Sequence, residues 1–332
     1  MNIAIVGATG LVGRKMLQVL AERKFSYDEL YLVASRKSAG SVIDFAGTQY
    51  TVITIEEALK KDIDIALFSA GASVSKQYAP LFADKGTYVV DNSSAWRMDK
   101  TKKLVVPEIN GNVLTAEDRI IANPNCSTIQ MLMAIYPIYK EFGIKRIVVS
   151  TYQSVTGSGK KAVDQLVYER SGFDAEKKYP HKIDMNVLPH CDVFVEDDYT
   201  KEEMKLVNET HKIFDDYSIA VNATAVRVPV VGGHSESVYL ELDKKVDLDR
   251  IKKLISEFPG VVLYDEPDND KYPMPIVSYD RDEVFVGRIR RDLFSDNAMT
   301  MWVVADNLRK GAATNAVQIA ELIKEKFLTK KN

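Results

Sequence analysis

NIAIVGATGLVG, residues 2–13, is the stretch that decides the fold of the first part of this chain. Its apolar half, Asn2–Val6, is typical of a buried strand in a parallel sheet. Its glycine-rich half, Gly7–Gly13, precedes a helical pattern in which Leu17 and Leu20 share one face. Glycines between a strand and a helix permit a tight turn and let backbone N–H groups approach a pyrophosphate. The stretch therefore predicts a dinucleotide-binding fold, with a tight turn that binds no ligand as the alternative.

The end of the second predicted strand, Leu30–Ala34, indicates which dinucleotide this domain binds. A site for NAD usually carries an acidic residue about 20 residues beyond the glycines, where it binds the ribose 2′-hydroxyl. In this chain that place is occupied by Ser35–Ser38, with the sequence SRKS. Two basic and two hydroxyl side chains suit a 2′-phosphate, so the sequence favours NADP. The alternative is a solvated polar loop.

Strands and helices continue to alternate up to residue 125, which predicts a doubly wound parallel sheet. Ligands of such sheets bind at the carboxyl ends of the strands. Arg97 follows the carboxyl end of the apolar strand Thr87–Asp91, which places it near the predicted site. The alternative is a surface position, the more common one for an isolated arginine.

A cysteine stands at the end of this predicted domain. Arg119–Ala122 has the pattern of a short strand, and Ile129–Phe142 that of an amphipathic helix. Asn125 is a good N-cap, so Cys126 falls in the first helical turn, where free backbone N–H groups and the helix dipole favour a thiolate. Cysteines in such places act as nucleophiles. The alternative is a buried structural thiol.

The pattern changes after this helix. Strands are predicted at Ile144–Thr151, at Ile219–Val228 and at several later places, with few helices among the later strands. Runs of strands of this kind favour an α+β domain with a mixed, largely antiparallel sheet. Residues 171–199 are irregular, rich in proline, histidine and acidic residues, and carry no recognisable motif.

Two positions of the second domain suit chemistry, and a third is ambiguous. Arg227 ends a strand, and arginine is the planar, bidentate partner of a carboxylate. His234 follows a glycine turn and suits proton transfer near neutral pH, although an isolated histidine is more often structural. Glu202 and Lys205 share one face of the predicted helix Thr200–Phe214, where a surface ion pair is the simpler explanation.

Composition narrows the class of function. The 332 residues suffice for two domains, and a formal net charge of −3 gives no reason to expect nucleic acid as a partner. Cys126 and Cys191 make no disulfide framework and fit a reducing cytoplasm. His190 beside Cys191 makes no metal site, and no apolar run reaches the roughly 18 residues of a membrane span. We therefore expect a cytoplasmic protein with no metal, nucleic-acid or membrane partner.

Five motifs occur together in the chain. In order they are Gly7–Gly13, Asn123–Thr128 (NPNCST), Tyr152–Gly159 (YQSVTGSG), Arg227–Glu236 (RVPVVGGHSE) and Asp306–Ala312 (DNLRKGA). In this combination and spacing the chain resembles, from end to end, the aspartate-β-semialdehyde dehydrogenases in their shorter bacterial form. The resemblance implies an NADP-dependent oxidoreductase that reversibly converts L-aspartate 4-semialdehyde and phosphate into 4-aspartyl phosphate. That step feeds the synthesis of lysine, threonine and methionine.

The resemblance also implies a role for each matching residue. Cys126 is expected to be the nucleophile that forms an acyl thioester, and His234 the acid or base. Gln153 is expected to orient the substrate, Arg227 to bind its α-carboxylate and Glu202 to bind its α-ammonium group. Arg97 and Lys205 are expected to bind phosphate. The residues expected to line the NADP site are Thr9, Gly10, Leu11, Val12, Lys37, Ser38, Thr156, Gly157 and Asn307.

Residues and resemblance together predict an α/β protein. We expect an N-terminal Rossmann-type parallel sheet in residues 1–125, which binds NADP. A catalytic and dimerisation domain of the α+β class, with the mixed sheet, follows in residues 126–311. A C-terminal helix, residues 312–330, is expected to pack back on the first domain. The family resemblance implies a homodimer that can pair into a tetramer.

Two other functions fit parts of the sequence. An N-acetyl-glutamyl-phosphate reductase would share the architecture and the cysteine chemistry, but its substrate has an uncharged, acetylated amine. Glu202 favours a charged amine instead. A non-catalytic paralogue that binds NADP should have lost its nucleophile, and Cys126 stands in its full motif.

Overall fold

The computed structural model of the chain describes residues 1–328. The chain divides into two compact units. The first consists of Met1–Pro124 together with the chain from Ala312 onward, and the second of Asn125–Gly311. Both boundaries fall at motifs that the sequence singles out, because Asn125 directly precedes Cys126 and Gly311 belongs to the DNLRKGA motif.

The first unit is built mostly from alternating strands and helices, with additional strands after the second and the sixth strand. Up to residue 124 they are β1 (Asn2–Val6), α1 (Leu11–Glu22), β2 (Glu29–Val33), β3 (Val42–Phe45), β4 (Thr48–Thr51), α2 (Ile55–Ala58), β5 (Ile65–Phe68), α3 (Ala72–Ala83), β6 (Tyr88–Asp91), β7 (Lys103–Leu104), α4 (Pro107–Asn110) and β8 (Ile120–Ala122). Within the described residues the main sheet has the order β2-β1-β5-β6-β8-β7, and all its strands run parallel. Every residue of β5 is buried, as a strand covered on both faces requires. This confirms the predicted Rossmann-type sheet.

The second unit contains a mixed sheet and the helix that begins at the cysteine. Its elements are α5 (Cys126–Phe142), β9 (Ile144–Gln153), α6 (Lys160–Arg170), α7 (Lys201–Phe214), β10 (Ala220–Arg227), β11 (His234–Leu242), α8 (Leu248–Glu257), β12 (Val261–Leu263), α9 (Pro275–Ser278), β13 (Val284–Arg291) and β14 (Ala298–Ala305). In the described part of the chain the strand order is β10-β9-β11-β14-β13-β12. The β9–β10 and β12–β13 pairs are parallel and the others antiparallel, as predicted. Helix α5 packs against β9, β11, β13 and β14, so the sheet supports the helix that carries the cysteine.

The chain returns to the first unit with α10 (Thr314–Ile323). Ala316, Val317 and Ile323 of this helix are fully buried in the same apolar core as β1 and β5. Wider, π-type helical turns precede and follow it at Arg309–Ala313 and Lys324–Leu328. The predicted helix of residues 312–330 is therefore α-helical over a shorter range, and residues 329 and 330 lie outside the described residues. No helix within residues 1–328 is long and apolar enough to cross a membrane.

Candidate active site

Cys126 is the first residue of α5, and it is partly exposed although both its neighbours are buried. The Asn125 side chain caps the helix, because its Oδ1 accepts hydrogen bonds from the backbone N–H groups of Ser127 at 3.0 Å and Thr128 at 3.2 Å. Gly311 packs directly against the cysteine, since a Cβ at that position would lie 2.7 Å from Cys126 Cβ. Because Cys126 is partly exposed, its interpretation as a buried structural thiol is wrong.

His234, at the start of β11, is fully buried. Its Nδ1 accepts a hydrogen bond from the backbone N–H of Ser154 at 3.0 Å, and its Nε2 has no partner among the described residues. Burial first, and then the positive charge of Arg227, lower the pKa of His234 to about 3. The ring is therefore neutral near pH 7 and carries its proton on Nε2, from which it can donate to a ligand oxygen.

Arg227, at the end of β10, is also buried and only partly paired. Its Nη1 donates to the carbonyl oxygen of Ser154 at 2.6 Å, the Tyr179 ring lies 5.9 Å from its guanidinium carbon, and its Nε has no partner in residues 1–328. A Cβ at Gly157 would lie 3.0 Å from Arg227 Nη1 and 3.2 Å from His234 Nε2. The guanidinium group of Arg227, which has an unpartnered Nε, and the unpartnered Nε2 of His234 therefore lie beside the same glycine. Buried donors normally have acceptors, so the space beside this glycine suits an anionic ligand.

Helix α7 brings a buried ion pair to the same place. Glu202 Oε2 accepts from Lys205 Nζ at 2.8 Å, and Oε1 accepts from Asn125 Nδ2 at 2.9 Å and Gln153 Nε2 at 3.2 Å. Burial alone would raise the pKa of Glu202, but the charge of Lys205, hydrogen bonds and the charge of Arg227 lower it to about 2. Burial acts to lower the pKa of Lys205, but the charge of Glu202 outweighs it, so this pKa is raised and both groups stay charged. The interpretation as a surface ion pair is wrong, because Glu202 is only 7% exposed.

Gln153, Thr156 and Asn307 complete this cluster of the second unit. Gln153 Nε2 donates to Ser127 Oγ at 3.0 Å, which ties the end of β9 to the residue after the cysteine. Ser154 Oγ and Thr156 Oγ1 donate to Asn307 Oδ1 at 3.1 and 2.9 Å. The structure therefore links all the predicted site residues of the second unit, which are Cys126, Gln153, Thr156, Gly157, Glu202, Lys205, Arg227, His234 and Asn307, through direct contacts or shared neighbours.

The glycine motif of the first unit forms the predicted turn. Thr9–Val12 lie where α1 begins, Gly10 is its N-cap, and no side chain caps this helix. A Cβ at Gly13 would lie 2.2 Å from the carbonyl oxygen of Gly7, so the close approach of turn and helix requires glycine. An accessible helix N-terminus without a side-chain cap fits the pyrophosphate of a dinucleotide.

The basic loop after β2 fits a further negative charge. Lys37 is exposed there and has no ion-pair partner within residues 1–328, whereas Arg36 lies 3.2 Å from Glu56. Ser38 lies in the same tight turn, where its backbone N–H donates to the carbonyl oxygen of Ser35 at 2.8 Å. Lys37 and Ser38 are thus placed side by side on an accessible loop.

Arg97 is buried within the first unit, so the alternative interpretation of Arg97 as a surface residue is wrong. Its Nε donates to the carbonyl oxygen of Asn123 at 2.9 Å and its Nη2 to that of Asn92 at 3.0 Å. These bonds join the loop after β6 to the residue after β8. The arginine is therefore fixed at the carboxyl ends of two parallel strands, where the sequence placed it.

Residues 171–199 supply parts of the site that sequence reasoning missed. Leu188 exchanges two backbone hydrogen bonds with Arg227, at 2.7 and 2.9 Å. Asp192 Oδ2 accepts from Lys205 Nζ at 2.9 Å, so this lysine lies between two carboxylates. Tyr179, described above, comes from the same segment. The available sequence signal was the length of an irregular segment inside a compact domain, which usually marks a functional loop.

The low pKa of Glu202 predicts an acid-dependent loss of stability. The ordinary pKa of a glutamate is 4.5 and that of folded Glu202 is about 2, so its stabilising effect is complete above pH 4.5 and is lost as the pH falls towards 2. We expect the free energy of unfolding of the wild type to fall by about 2 kcal/mol more than that of Glu202→Gln between about pH 6 and pH 3. Urea unfolding of both proteins across this range measures the difference. The low pKa of His234 also destabilises the fold in acid, but it is common to both proteins. Parallel stability curves would contradict the prediction.

Comparisons with known proteins agree with this geometry. Residues 2–116 match the family model "Semialdehyde dehydrogenase, NAD binding domain", and residues 135–310 match "Semialdehyde dehydrogenase, dimerisation domain". The chain is 54% identical to an aspartate-semialdehyde dehydrogenase of Aquifex aeolicus, with 97% of each chain covered, and 45% identical to one of Bacillus subtilis, with 98% of each covered. It is also similar to the crystal structure of aspartate semialdehyde dehydrogenase II from Vibrio cholerae complexed with ASA, at 46% identity, a TM-score of 0.93 and 98% of each chain.

Proposed function

The chain belongs to the aspartate-semialdehyde dehydrogenase family (EC 1.2.1.11), and from this premise we propose that it uses NADP to convert L-aspartate 4-semialdehyde and phosphate reversibly into 4-aspartyl phosphate. The observation that carries the proposal is the pair of buried donors without partners, Arg227 Nε and His234 Nε2, beside ionised Glu202. An amino acid that carries an aldehyde offers a partner to all three residues. Its carboxylate suits Arg227, its carbonyl oxygen suits His234 and its ammonium group suits Glu202.

In this proposal, recognition of the substrate depends on Arg227 and Glu202. Arg227 binds the α-carboxylate, because its buried guanidinium group still has a donor to offer. Glu202 binds the α-ammonium group, and its low pKa keeps it charged at every physiological pH. Gln153, which touches both Glu202 and Ser127, orients the substrate between the two charges. A substrate with an acetylated amine would leave the charge of Glu202 without a partner, which costs free energy.

The covalent steps start from Cys126. Its sulfur attacks the aldehyde carbon, and the carbonyl oxygen gains a negative charge that His234 Nε2–H is placed to stabilise. NADP, when bound, would accept the hydride that leaves this carbon, that is, its hydrogen together with both electrons of the C–H bond. Cys126 is left joined to the substrate as a thioester. Phosphate, for which the family resemblance implies Lys205 and Arg97 as ligands, attacks the thioester carbon, and Cys126 leaves as a thiolate.

An absorbance assay of NADPH tests the function. Purified protein with aspartate semialdehyde, NADP and phosphate should form NADPH, and omission of phosphate should stop steady turnover. N-acetylglutamate semialdehyde is the control substrate, because its acetylated amine is uncharged and its chain is one methylene longer. Turnover of the acetylated substrate alone would replace the proposal with the reductase alternative. NADP binding without turnover of either substrate would favour a non-catalytic paralogue.

The preference for NADP over NAD depends on Lys37 in this account. We expect Lys37→Glu to weaken NADP binding by about tenfold or more, or about 1.4 kcal/mol, since a carboxylate would repel the 2′-phosphate. NAD binding should change little or improve, because an acidic residue can bind the ribose hydroxyl. Calorimetric titration of both cofactors on both proteins checks this, with Lys61→Glu as a control on another exposed lysine of the same unit. Equal affinities of the wild type for NADP and NAD would contradict the assignment.

The dimerisation-domain match supports a homodimer. The pairing of two dimers into a tetramer rests on the family resemblance alone. The second unit offers an apolar surface for this, because Val148 and Tyr152 on one face of β9 are each 37% exposed. Sedimentation of the purified chain measures the assembly directly. We also place the reaction in a reducing cytoplasm, in keeping with two cysteines that are both free thiols.

A further inference from the structure

Glu236 is a buried carboxyl group that the proposed mechanism does not use. It lies on β11 two residues after His234, on the same face of the strand, and it is 0% exposed. Neither carboxyl oxygen has a hydrogen-bond partner within the described residues. The groups that act on it are the side chains of Gln130 and Ser127 in α5, and no charged group is among them. An ionised carboxylate without a cation is strongly disfavoured at such a place.

Gln130 provides a second, independent observation. Its Nε2 donates to the carbonyl oxygen of His234 at 3.2 Å, whereas its Oε1 is buried without a partner in residues 1–328. An amide oxygen and an ionised carboxylate are both acceptors only, but a protonated carboxyl group has an O–H to donate. A proton on Glu236 would supply a donor for Gln130 Oε1.

Ser127 completes the arrangement from the other side. Its Oγ accepts from Gln153 Nε2 at 3.0 Å, so its own O–H is available to donate to the carbonyl oxygen of Glu236. Burial raises the pKa of Glu236 well above its usual range and outweighs the hydrogen bonding of Gln130 and Ser127, which acts to lower it. The titratable side chain that shares its face of β11 is His234, and His234 is neutral.

We propose that Glu236 is a positioning residue whose uncharged carboxyl group joins Ser127 to Gln130 and thereby holds Gln153 and the backbone of His234 in place. Gln153 and His234 both act on the substrate in the proposed function, so the kinetic part of this inference rests on that function. Glu236 itself touches neither substrate nor cofactor. Its effect passes through the first turns of α5, where Cys126 also lies.

Two substitutions separate the hydrogen bonds of Glu236 from its shape and charge. Glu236→Gln keeps one acceptor and a donor but never ionises, so we expect kcat within about threefold of the wild type. Glu236→Leu removes both the hydrogen-bond donor and the acceptor. We expect kcat to fall by on the order of 10- to 100-fold with the KM for NADP unchanged, since a displacement of a catalytic group by about 1 Å is enough for this loss. Glu241→Gln is the matched control, because Glu241 is half-exposed on the same strand and lies 3.6 Å from Arg146.

The charge of Glu236 is measured without any assay of turnover. Infrared spectra at pH 8 should show the carbonyl band of a protonated carboxyl group in the wild type and in Glu241→Gln, and its loss in Glu236→Gln. Stability provides a second measurement. The unfolded glutamate ionises above its ordinary pKa of 4.5 while the folded one keeps its proton, so wild-type stability falls as the pH rises. Glu236→Gln lacks this loss, and its melting temperature should rise relative to the wild type between about pH 5 and pH 8.

Three results would overturn the inference. They are the absence of the infrared band in the wild type, a folded Glu236→Gln protein as impaired as Glu236→Leu, and wild-type kcat in Glu236→Leu. If Glu236→Leu does not fold, the infrared band and the kinetics of Glu236→Gln still decide the question. A failure of the proposed function would appear as an inactive wild type that keeps the band.

Discussion

Replacing Cys126 with serine should lower kcat by more than about 10⁴-fold, because loss of a covalent nucleophile has effects of this size. A hydroxyl group is far less nucleophilic than a thiolate near neutral pH. The fold should be retained, since the Asn125 cap and the close packing against Gly311 place no demand on the sulfur itself. Steady-state turnover, together with calorimetric titration of NADP to show that the cofactor still binds, checks the prediction.

Cys191 provides the internal control for this experiment. It is 2% exposed, and burial raises its pKa to about 11, so it should resist alkylation at neutral pH. Iodoacetamide should therefore label Cys126 in the wild type and inactivate the enzyme, and Cys126→Ser should take up almost no label. Turnover close to that of the wild type in Cys126→Ser would remove the covalent mechanism.

Arg227→Lys should lower kcat/KM for the semialdehyde by on the order of 10²-fold while the KM for phosphate changes little. Lysine keeps the positive charge but lacks the planar fork that binds a carboxylate through two hydrogen bonds. The bond from Arg227 Nη1 to the Ser154 carbonyl oxygen would also be disturbed, and Ser154 holds His234. A displacement of the aldehyde by about 1 Å is enough for a loss of this size. Steady-state kinetics with each substrate varied in turn measures both effects.

The matched variant for the second cation is Lys205→Ala. It should raise the KM for phosphate more than the KM for the semialdehyde, if Lys205 is the phosphate ligand. The inverse pattern, in which Arg227→Lys weakens phosphate and Lys205→Ala weakens the semialdehyde, would exchange the two assignments. Equal effects of both variants on both substrates would mean that the cations act as one field, with no separate roles.

The parts of the fold and site that the sequence predicted depend on local signals. The start of α5 at Cys126 follows from Asn125, a cap whose bonds reach only two and three residues along the chain. The turn at Gly7–Gly13 follows from strand, glycine and helix in immediate succession. Arg227 and His234 stand at the end of one strand and the start of the next, where the hydrophobic pattern changes.

The parts that local sequence patterns left open depend on contacts between distant segments. The Glu202–Lys205 pair has the spacing of any surface ion pair, and it is buried because α7 packs against β10 and α5. Asp192 and Leu188 lie in a segment without a periodic pattern, and their roles come from pairing with Lys205 and Arg227. No local pattern distinguishes a buried glutamate such as Glu236 from an exposed one.

The central claim is that Cys126 carries the substrate as a thioester, and mass spectrometry of the digested protein tests it most directly. Wild-type protein should be mixed with aspartate semialdehyde and NADP without phosphate, quenched in acid and digested. The account predicts one burst of NADPH per active site and an aspartyl adduct on the peptide that contains Cys126, which phosphate then releases. An NADPH burst without an adduct, or an adduct on any other residue, would contradict it.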